Sequence, residues 1–345
     1  MRSFLGFTTL TLLLSSCQLG YYMKSARNQF SMMASRIPVD EALEKMPLTE
    51  TQKNKLRLSQ QAREFAFHDL HLKQTKNYDS YIDLKRPYVT WVVNAAYKWE
   101  MKNYQWSYPV VGDMPYKGFF SEEEAKEEAA GLEKEGLDTN VRGVSAYSTL
   151  GWFKDSVLSS MLRYKDHDLV NTIIHEIVHT TVYIKSNSDF NERLAVFIGG
   201  KGTEMFYKKL EGPDSTTVKL IKSENEDDKL FSTFISEQIK NLEAWYKSNS
   251  EQNEKIRQEQ FEKIKATFKN EMTLKFKSAS YQKFAEQKIN NATLGLLRTY
   301  MEDLSDFEKL YSQCGHNMNL FIEKIKTLEK SEDPAEDLKK LTVSN

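Results

Sequence analysis

The chain has 345 residues, of which 40% are hydrophobic and 12% aromatic, enough for one large or two modest domains with an ordinary globular core. Its 48 Lys and Arg residues against 49 Asp and Glu residues give a net charge of −1. This balance argues against a nucleic-acid partner, because a nucleic-acid-binding surface needs a marked basic excess.

The first 17 residues have the pattern of an export signal. A basic residue is followed by an apolar run from Phe4 to Leu14, which is too short to span a membrane. The run ends in Leu14-Ser15-Ser16-Cys17, which looks like a bacterial lipobox in which Cys17 becomes the acylated first residue of the mature protein. An ordinary secretory signal or a plain membrane anchor is the alternative.

Either signal places the body of the protein outside the cytoplasm, so we expect a cell-envelope protein held at the membrane by a lipid on Cys17. Gln18, rather than Asp, follows the cysteine, which resembles the pattern for outer-membrane sorting and a periplasm-facing protein in a Gram-negative host. The other cysteine is Cys314. If Cys17 is acylated, Cys314 has no intramolecular partner, and the fold has to be stable without a disulfide.

The elements predicted after the signal are mostly helical. Hydrophobic periodicity and β-branched runs predict the following order: helix over residues 21–75, a buried strand at Tyr88–Ala96, an acidic helix from Ser121 to Gly136, a second strand near 140–148, an apolar helix around 171–184, amphipathic helices beyond about residue 226, a last helix from about Asn291 to Tyr311, and a mobile tail after Ser331.

The most specific motif is His175-Glu176-Ile-Val-His179, the H-E-x-x-H pattern of zinc hydrolases. On a helix the two histidines share a face and can bind one cation, while Glu176 can reach a water molecule on it. These three are the only acidic, basic or histidine residues between Asp168 and Lys185, which predicts a largely buried helix. The alternative is that both histidines are hydrogen-bonded core residues.

A third ligand is expected from the next apolar segment. Glu192 follows His179 after twelve residues, and Ala195 and Gly199 continue its helical stripe. Small side chains on that stripe let a second helix pack closely and direct Glu192 at the cation. Two histidines and one glutamate with an open fourth position form a catalytic zinc ligand set. Alternatively, Glu192 belongs to a capping box with Asp189.

Several motifs together resemble the bacterial family of putative aminopeptidases, whose members are lipoprotein-like zincins. The resemblance spans about residues 17–321 and rests on four segments: Tyr147-Ser-Thr-Leu-Gly-Trp-Phe153 followed by Asp155, the H-E-x-x-H helix, Asp189-Phe-Asn-Glu192-x-x-Ala195, and Asn290-Asn-Ala-x-Leu294 through Tyr300. It implies a gluzincin-like site carried by His175, Glu176, His179 and Glu192.

The expected fold is α+β and predominantly helical, with a zincin-like core, a small mixed sheet and a helical C-terminal region. We expect residues 1–17 to be the signal and 18–320 a single catalytic domain, with a helical subdomain from about 226. Residues 321–345 are expected to be mostly mobile.

The expected activity is zinc-dependent peptide hydrolysis, with Glu176 as the general base. Tyr147 and Tyr300 are candidate donors to the oxyanion, or packing residues. Ala146 lies in the 141–148 strand, which we expect to bind the peptide by main-chain pairing. Asn291 binds substrate or caps the last helix.

Two further functions stay open. An aminopeptidase needs a carboxylate that binds the substrate's α-amino group, and the sequence does not identify one. An endopeptidase or an amidase acting on cell-wall peptides is therefore an alternative. A non-catalytic envelope lipoprotein with a structural or vestigial metal site is the alternative from another class. Oligomeric state is not predicted.

Overall fold

In the computed structural model, residues 20–108, 112–146, 154–249, 251–300 and 304–343 are described, without the side chains of 299 and 300. The fold is α+β and mainly helical, as the sequence predicted. The helices are α1 (20–34), α2 (Val39–Lys45), α3 (Glu50–His68), α4 (Glu122–Lys134), α5 (Asp166–Thr181), α6 (Ser188–Glu211), α7 (Thr216–Ser248), α8 (Glu254–Thr267), α9 (Asn291–Tyr300), α10 (Ser305–Gln313), α11 (Met318–Lys326) and α12 (Pro334–Val343).

The strands form small separate sheets rather than one large sheet. They are β1 (Ile37–Pro38), β2 (Ser80–Ile82), β3 (Thr90–Tyr97), β4 (Trp106–Tyr108), β5 (Gly112–Met114), β6 (Tyr116–Phe119), β7 (Leu137–Val144) and β8 (Val157–Leu158). The order β1-β2-β8 is a mixed sheet, because β2 pairs antiparallel with β1 and parallel with β8. The order β6-β3-β7 is antiparallel, and β4 pairs with β5.

Helix ends follow local capping chemistry. Thr49 and Gln52 form a reciprocal capping box at the start of α3, and Ser121 accepts a hydrogen bond from the N–H of Glu124 at the start of α4. These bonds satisfy N–H groups that have no partner inside a helix. The chain leaves α4 through Gly136 at φ 87°, a conformation that a residue without Cβ adopts without strain.

The main core surrounds α5. Ile173, Ile174, Ile177 and Val178 on this helix have no exposed surface. They belong to a cluster that α3, α6 and the C-terminal helices complete. A second cluster lies between α7, α8 and α9, and a third lies between α4 and the β3 sheet.

The C-terminal end differs from the expected single helix and mobile tail. In place of a continuous helix to Tyr311, α9 ends at Tyr300 and α10 begins at Ser305. Residues 318–326 and 334–343 are helical, and Leu338 is 1% exposed within the main core. The end of the chain thus covers the core, because its few apolar side chains fall at helical spacing.

Candidate metal centre

The three residues of the H-E-x-x-H motif lie on the second half of α5. The helix has Asp166 and Asp168 in its first turn, where a negative charge interacts favourably with the helix dipole. Its apolar residues are buried on several sides. His179 is 4% exposed, whereas the side chain of His175 is 17% exposed. The helix therefore presents a partly open polar patch within an apolar surface.

A short connection returns the chain to this patch. The Asn191 amide closes the connection, because it accepts a hydrogen bond from the N–H of Ile184 at 2.9 Å and donates one to its carbonyl at 2.8 Å. This clamp fixes the first turn of α6, which carries Glu192. Ala195 is fully buried, and a Cβ on Gly199 would lie 3.4 Å from Cβ of His175. The small-residue stripe thus allows the predicted close packing.

The donor atoms of His175, His179 and Glu192 converge. The two Nε2 atoms are 3.3 Å apart. Nε2 of His175 lies 3.4 Å from Oε2 of Glu192, and Nε2 of His179 lies 3.5 Å from Oε1. In a tetrahedral zinc site with bonds of about 2.0–2.1 Å, neighbouring donors are about 3.3 Å apart. The three residues therefore have donor spacings of the size that one such cation needs, with each histidine nearest a different oxygen of Glu192.

The charges of the trio also suit a cation. Burial opposes ionisation of Glu192, but its hydrogen bond to His175 and the charge of His179 hold its pKa below the usual range. Burial and the neighbouring His175 lower the pKa of His179 to about 4. Burial would lower the pKa of His175, yet its hydrogen bond to Glu192 and the charge of Glu176 raise it. A neutral imidazole and an ionised carboxylate are the forms that bind metals, so His179 and Glu192 are already in the binding form, whereas His175 would release its proton when a cation binds.

Glu176 lies beside the trio. Burial raises its pKa to about 7, and the charges of Glu192 and Asp155 act in the same direction, while His175 opposes them. A carboxylate with a pKa near neutrality can both accept and return a proton at physiological pH. This is the behaviour expected of a general base.

Two charged residues near the site did not emerge from sequence reasoning as functional. Arg142, on β7, is close enough to lower the pKa of Glu192. Asp155 is 8% exposed and close enough to raise the pKa of Glu176. Arg142 lies inside the strand expected to bind the peptide, and Asp155 follows one of the family motifs. Both positions therefore fall in predicted or family-like segments, but no local pattern assigns their charges to the site.

The other predicted site residues have different outcomes. Tyr147 and Cys17 lie outside the described residues, and the side chain of Tyr300 is not described. Ala146 follows β7 and packs partly buried against the main core. In the described part of the chain, no strand pairs with the outer edge of β7, although the Thr139 carbonyl near the start of this strand accepts a hydrogen bond from the Asn290 amide.

Asn291 is a structural residue rather than a substrate ligand. It is completely buried. Its amide nitrogen donates to the carbonyls of Tyr97, Lys98 and Glu100, and its oxygen accepts from the Tyr246 hydroxyl. These bonds leave no accessible polar group for a ligand. The sequence also suggested a helix cap at Asn291, but the residue before it, Asn290, accepts the bond from the N–H of Thr293.

The fold and the site define a mainly helical α+β protein with a candidate metal centre between two adjacent helices. The chain belongs to the family described as "Putative aminopeptidase", whose family model matches residues 20–341. Membership of this family supports the conclusion that the protein is a peptidase-like enzyme. No curated protein and no solved structure matches the chain significantly. None of the helices in the described ranges has the length and apolar character needed to cross a membrane.

Proposed function

We propose that the protein is a metal-dependent hydrolase of peptide bonds, and more specifically a zinc aminopeptidase. The observation that carries the proposal is the tetrahedral spacing of the donor atoms of His175, His179 and Glu192, which lie 3.3 to 3.5 Å apart. A carboxylate with a raised pKa adjoins them at Glu176. A structural zinc site uses four protein ligands and needs no base.

These three residues would hold one divalent cation, zinc by the preference of two imidazoles and a carboxylate. When bound, the cation acts as a Lewis acid that polarises the carbonyl to be cleaved and lowers the pKa of a water molecule. Glu176 takes the proton from the attacking water and passes it to the leaving amine. The apolar walls of α5 restrict solvent around the carboxylate, which strengthens its electrostatic interactions.

The substrate backbone would pair with the outer edge of β7 near Arg142, whose charge acts on Glu192. Arg142 on this strand supplies positive charge for the developing oxyanion, so it joins Tyr147 and Tyr300 as a candidate for that role. Support comes from the influence of Arg142 on the pKa of Glu192.

Asp155 is our candidate for the group that binds the substrate's free α-amino group. It is a buried carboxylate whose charge acts on Glu176, and a buried ammonium ion needs an opposite charge. Comparison of free and N-acetylated peptides tests exopeptidase specificity. Equal cleavage of both would favour the endopeptidase or cell-wall amidase alternative.

We also propose that Cys17 carries a lipid that holds the enzyme in the cell envelope, where its peptide substrates would lie. The sequence Leu14-Ser15-Ser16-Cys17 supports this proposal. In fractionated cells, Cys17→Ser should move the protein out of the membrane fraction. A wild-type protein found in the soluble fraction would contradict the anchor without affecting the proposed chemistry.

The decisive experiment compares Glu176→Gln and Glu192→Ala with wild type in metal content and peptide hydrolysis. Glu176→Gln should keep the cation and lose about 10²- to 10⁴-fold in rate, because it removes only the base. Glu192→Ala should lose the cation. Glu211→Gln, at the exposed end of α6, is the matched control and should change neither. Full activity in Glu176→Gln would refute the assigned role.

A further inference from the structure

A second group of metal-binding side chains lies at the other end of α5. His167 and Asp168 are in the first turn of this helix, and Glu224 extends from α7. Nε2 of His167 is 2.8 Å from Oε2 of Glu224 and 3.5 Å from Oδ1 of Asp168. One donor atom from each residue lies within 4.8 Å of the other two. The group thus has ligand spacing but is not part of the first centre.

In the described part of the chain, the ring nitrogen Nε2 of His167 is buried without a well-formed hydrogen bond. The residue is 8% exposed. Among the described residues its Nε2 atom has no hydrogen-bond partner of acceptable geometry, even though Oε2 of Glu224 is in contact. The contact is therefore not a well-formed hydrogen bond, and the nitrogen lone pair and the carboxylate oxygen are both of the kind that a cation beside them would use as ligands. The side chain of Asp168 is 50% exposed, so an ion can enter from solvent.

The surrounding charge also favours a cation. Lys165 contacts Oε1 of Glu224 at 3.1 Å, which leaves Oε2 for another partner. Asp168, Asp227 and Asp228 add negative charge near Glu224, because the charges of Glu224, Asp227 and Asp168 all act on Asp228. Burial and the charges of these acidic neighbours raise the pKa of Asp228. The start of the α5 dipole, about half a positive charge, opposes a cation here, but together with one lysine it does not balance the carboxylates.

We propose that His167, Asp168 and Glu224 bind a second divalent cation, of the class that accepts one imidazole and two carboxylates, such as Zn²⁺, Mn²⁺ or Co²⁺. His167 precedes His175 by eight residues, which is about 12 Å along the helix axis. The two sites are therefore separate, on one helix. The ion fastens the first turn of α5 to α7 and so fixes the position of the helix that carries His175 and His179.

The test is the number of ions bound by the full chain, purified in mild detergent, stripped of metal and dialysed against Zn²⁺ alone. Wild type should bind two ions per chain, and His175→Ala and His167→Ala should each bind one. In the His175→Ala background, added Zn²⁺ should raise the unfolding temperature, and Glu224→Gln should weaken binding at least tenfold. Glu226→Gln on α7, whose partner is the exposed Lys277, is the matched control and should keep both ions.

The possible results separate this site from the first one. One ion in wild type, lost in His175→Ala and kept in His167→Ala, overturns the proposal and leaves His167 and Glu224 as an ion pair. One ion lost in His167→Ala and kept in His175→Ala supports the second site and contradicts the first. Glu224→Gln is nearly isosteric and avoids the cavity that His167→Ala creates. Unchanged Zn²⁺ affinity in a folded Glu224→Gln protein overturns the proposal.

Discussion

Replacement of Arg257 by Met should strongly destabilise the protein. Arg257 is 1% exposed, and its guanidinium binds the Asp138 carboxylate through two contacts of 2.7 and 3.0 Å. Asp138 is 6% exposed. In the variant its carboxylate would keep the N–H of Asn291, at 2.9 Å, but lose its only described counter-charge. Breaking a buried ion pair in this way costs about 3–5 kcal/mol, while methionine retains part of the apolar packing.

Urea unfolding measures this loss, and two variants control it. Lys265→Met removes a partner of the largely exposed Glu262 on the same helix, α8, and should change the free energy of unfolding by about 0.5 kcal/mol or less. The double variant Arg257→Met/Asp138→Leu should be more stable than Arg257→Met, because it leaves no unpaired buried charge. A loss below about 1 kcal/mol in Arg257→Met would refute the reasoning.

Three further predictions concern the metal centre. Gly199→Ala should weaken metal binding about tenfold, because its methyl group would lie 3.0 Å from Oδ1 of Asn171 and 3.4 Å from Cβ of His175 and so displace the helix that carries the candidate ligands. Gly200→Ala, whose Cβ has no neighbour closer than 3.8 Å, is the control, and equal affinities would contradict the close-packing argument. Asn191→Leu should lose about 1–3 kcal/mol in urea unfolding, because it leaves both backbone groups of Ile184 unpaired; an unchanged midpoint would show that these two hydrogen bonds are dispensable. Burial raises the pKa of Glu176 from 4.5 to about 7, so folding favours its protonated form, and its contribution to stability is lost as pH rises from about 4.5 to 7. In metal-free protein, Glu176→Gln should therefore be about 1–3 kcal/mol more stable than wild type at pH 8 and similar at pH 4; a smaller difference at pH 8 than at pH 4 would reverse the assigned sign.

The convergence of the candidate metal ligands was predictable because its signals are local. A four-residue spacing on a helix brings His175 and His179 together whatever the rest of the chain does. The position of Glu192 required a further inference. The small residues on the same face of its helix predict that this helix packs closely against the first one. That packing is present, as the contact between Gly199 and His175 shows.

Other parts depend on contacts between distant residues and could not be read from local patterns. Asp138 and Arg257 are 119 positions apart, and neither belongs to a recognisable motif. Asn291 has a polar side chain that suits a binding residue, but its hydrogen-bond partners are carbonyls at the end of β3 and just after it. At the C-terminus, polar composition predicted mobility, although Pro334 at the first helical position and buried Leu338 are consistent with a short amphipathic helix.

The short connection between α5 and α6 has a consequence for folding. All three metal donors lie within a single helical hairpin, and the first and last of them are only 17 positions apart. Contacts this close in sequence form with little loss of chain entropy, whereas β7 has to be brought in from outside the hairpin. The hairpin can therefore bring the three candidate donors together while β7 is still undocked. Under the proposed function, damage to distant contacts such as the Arg257 pair would abolish turnover before it abolishes metal binding.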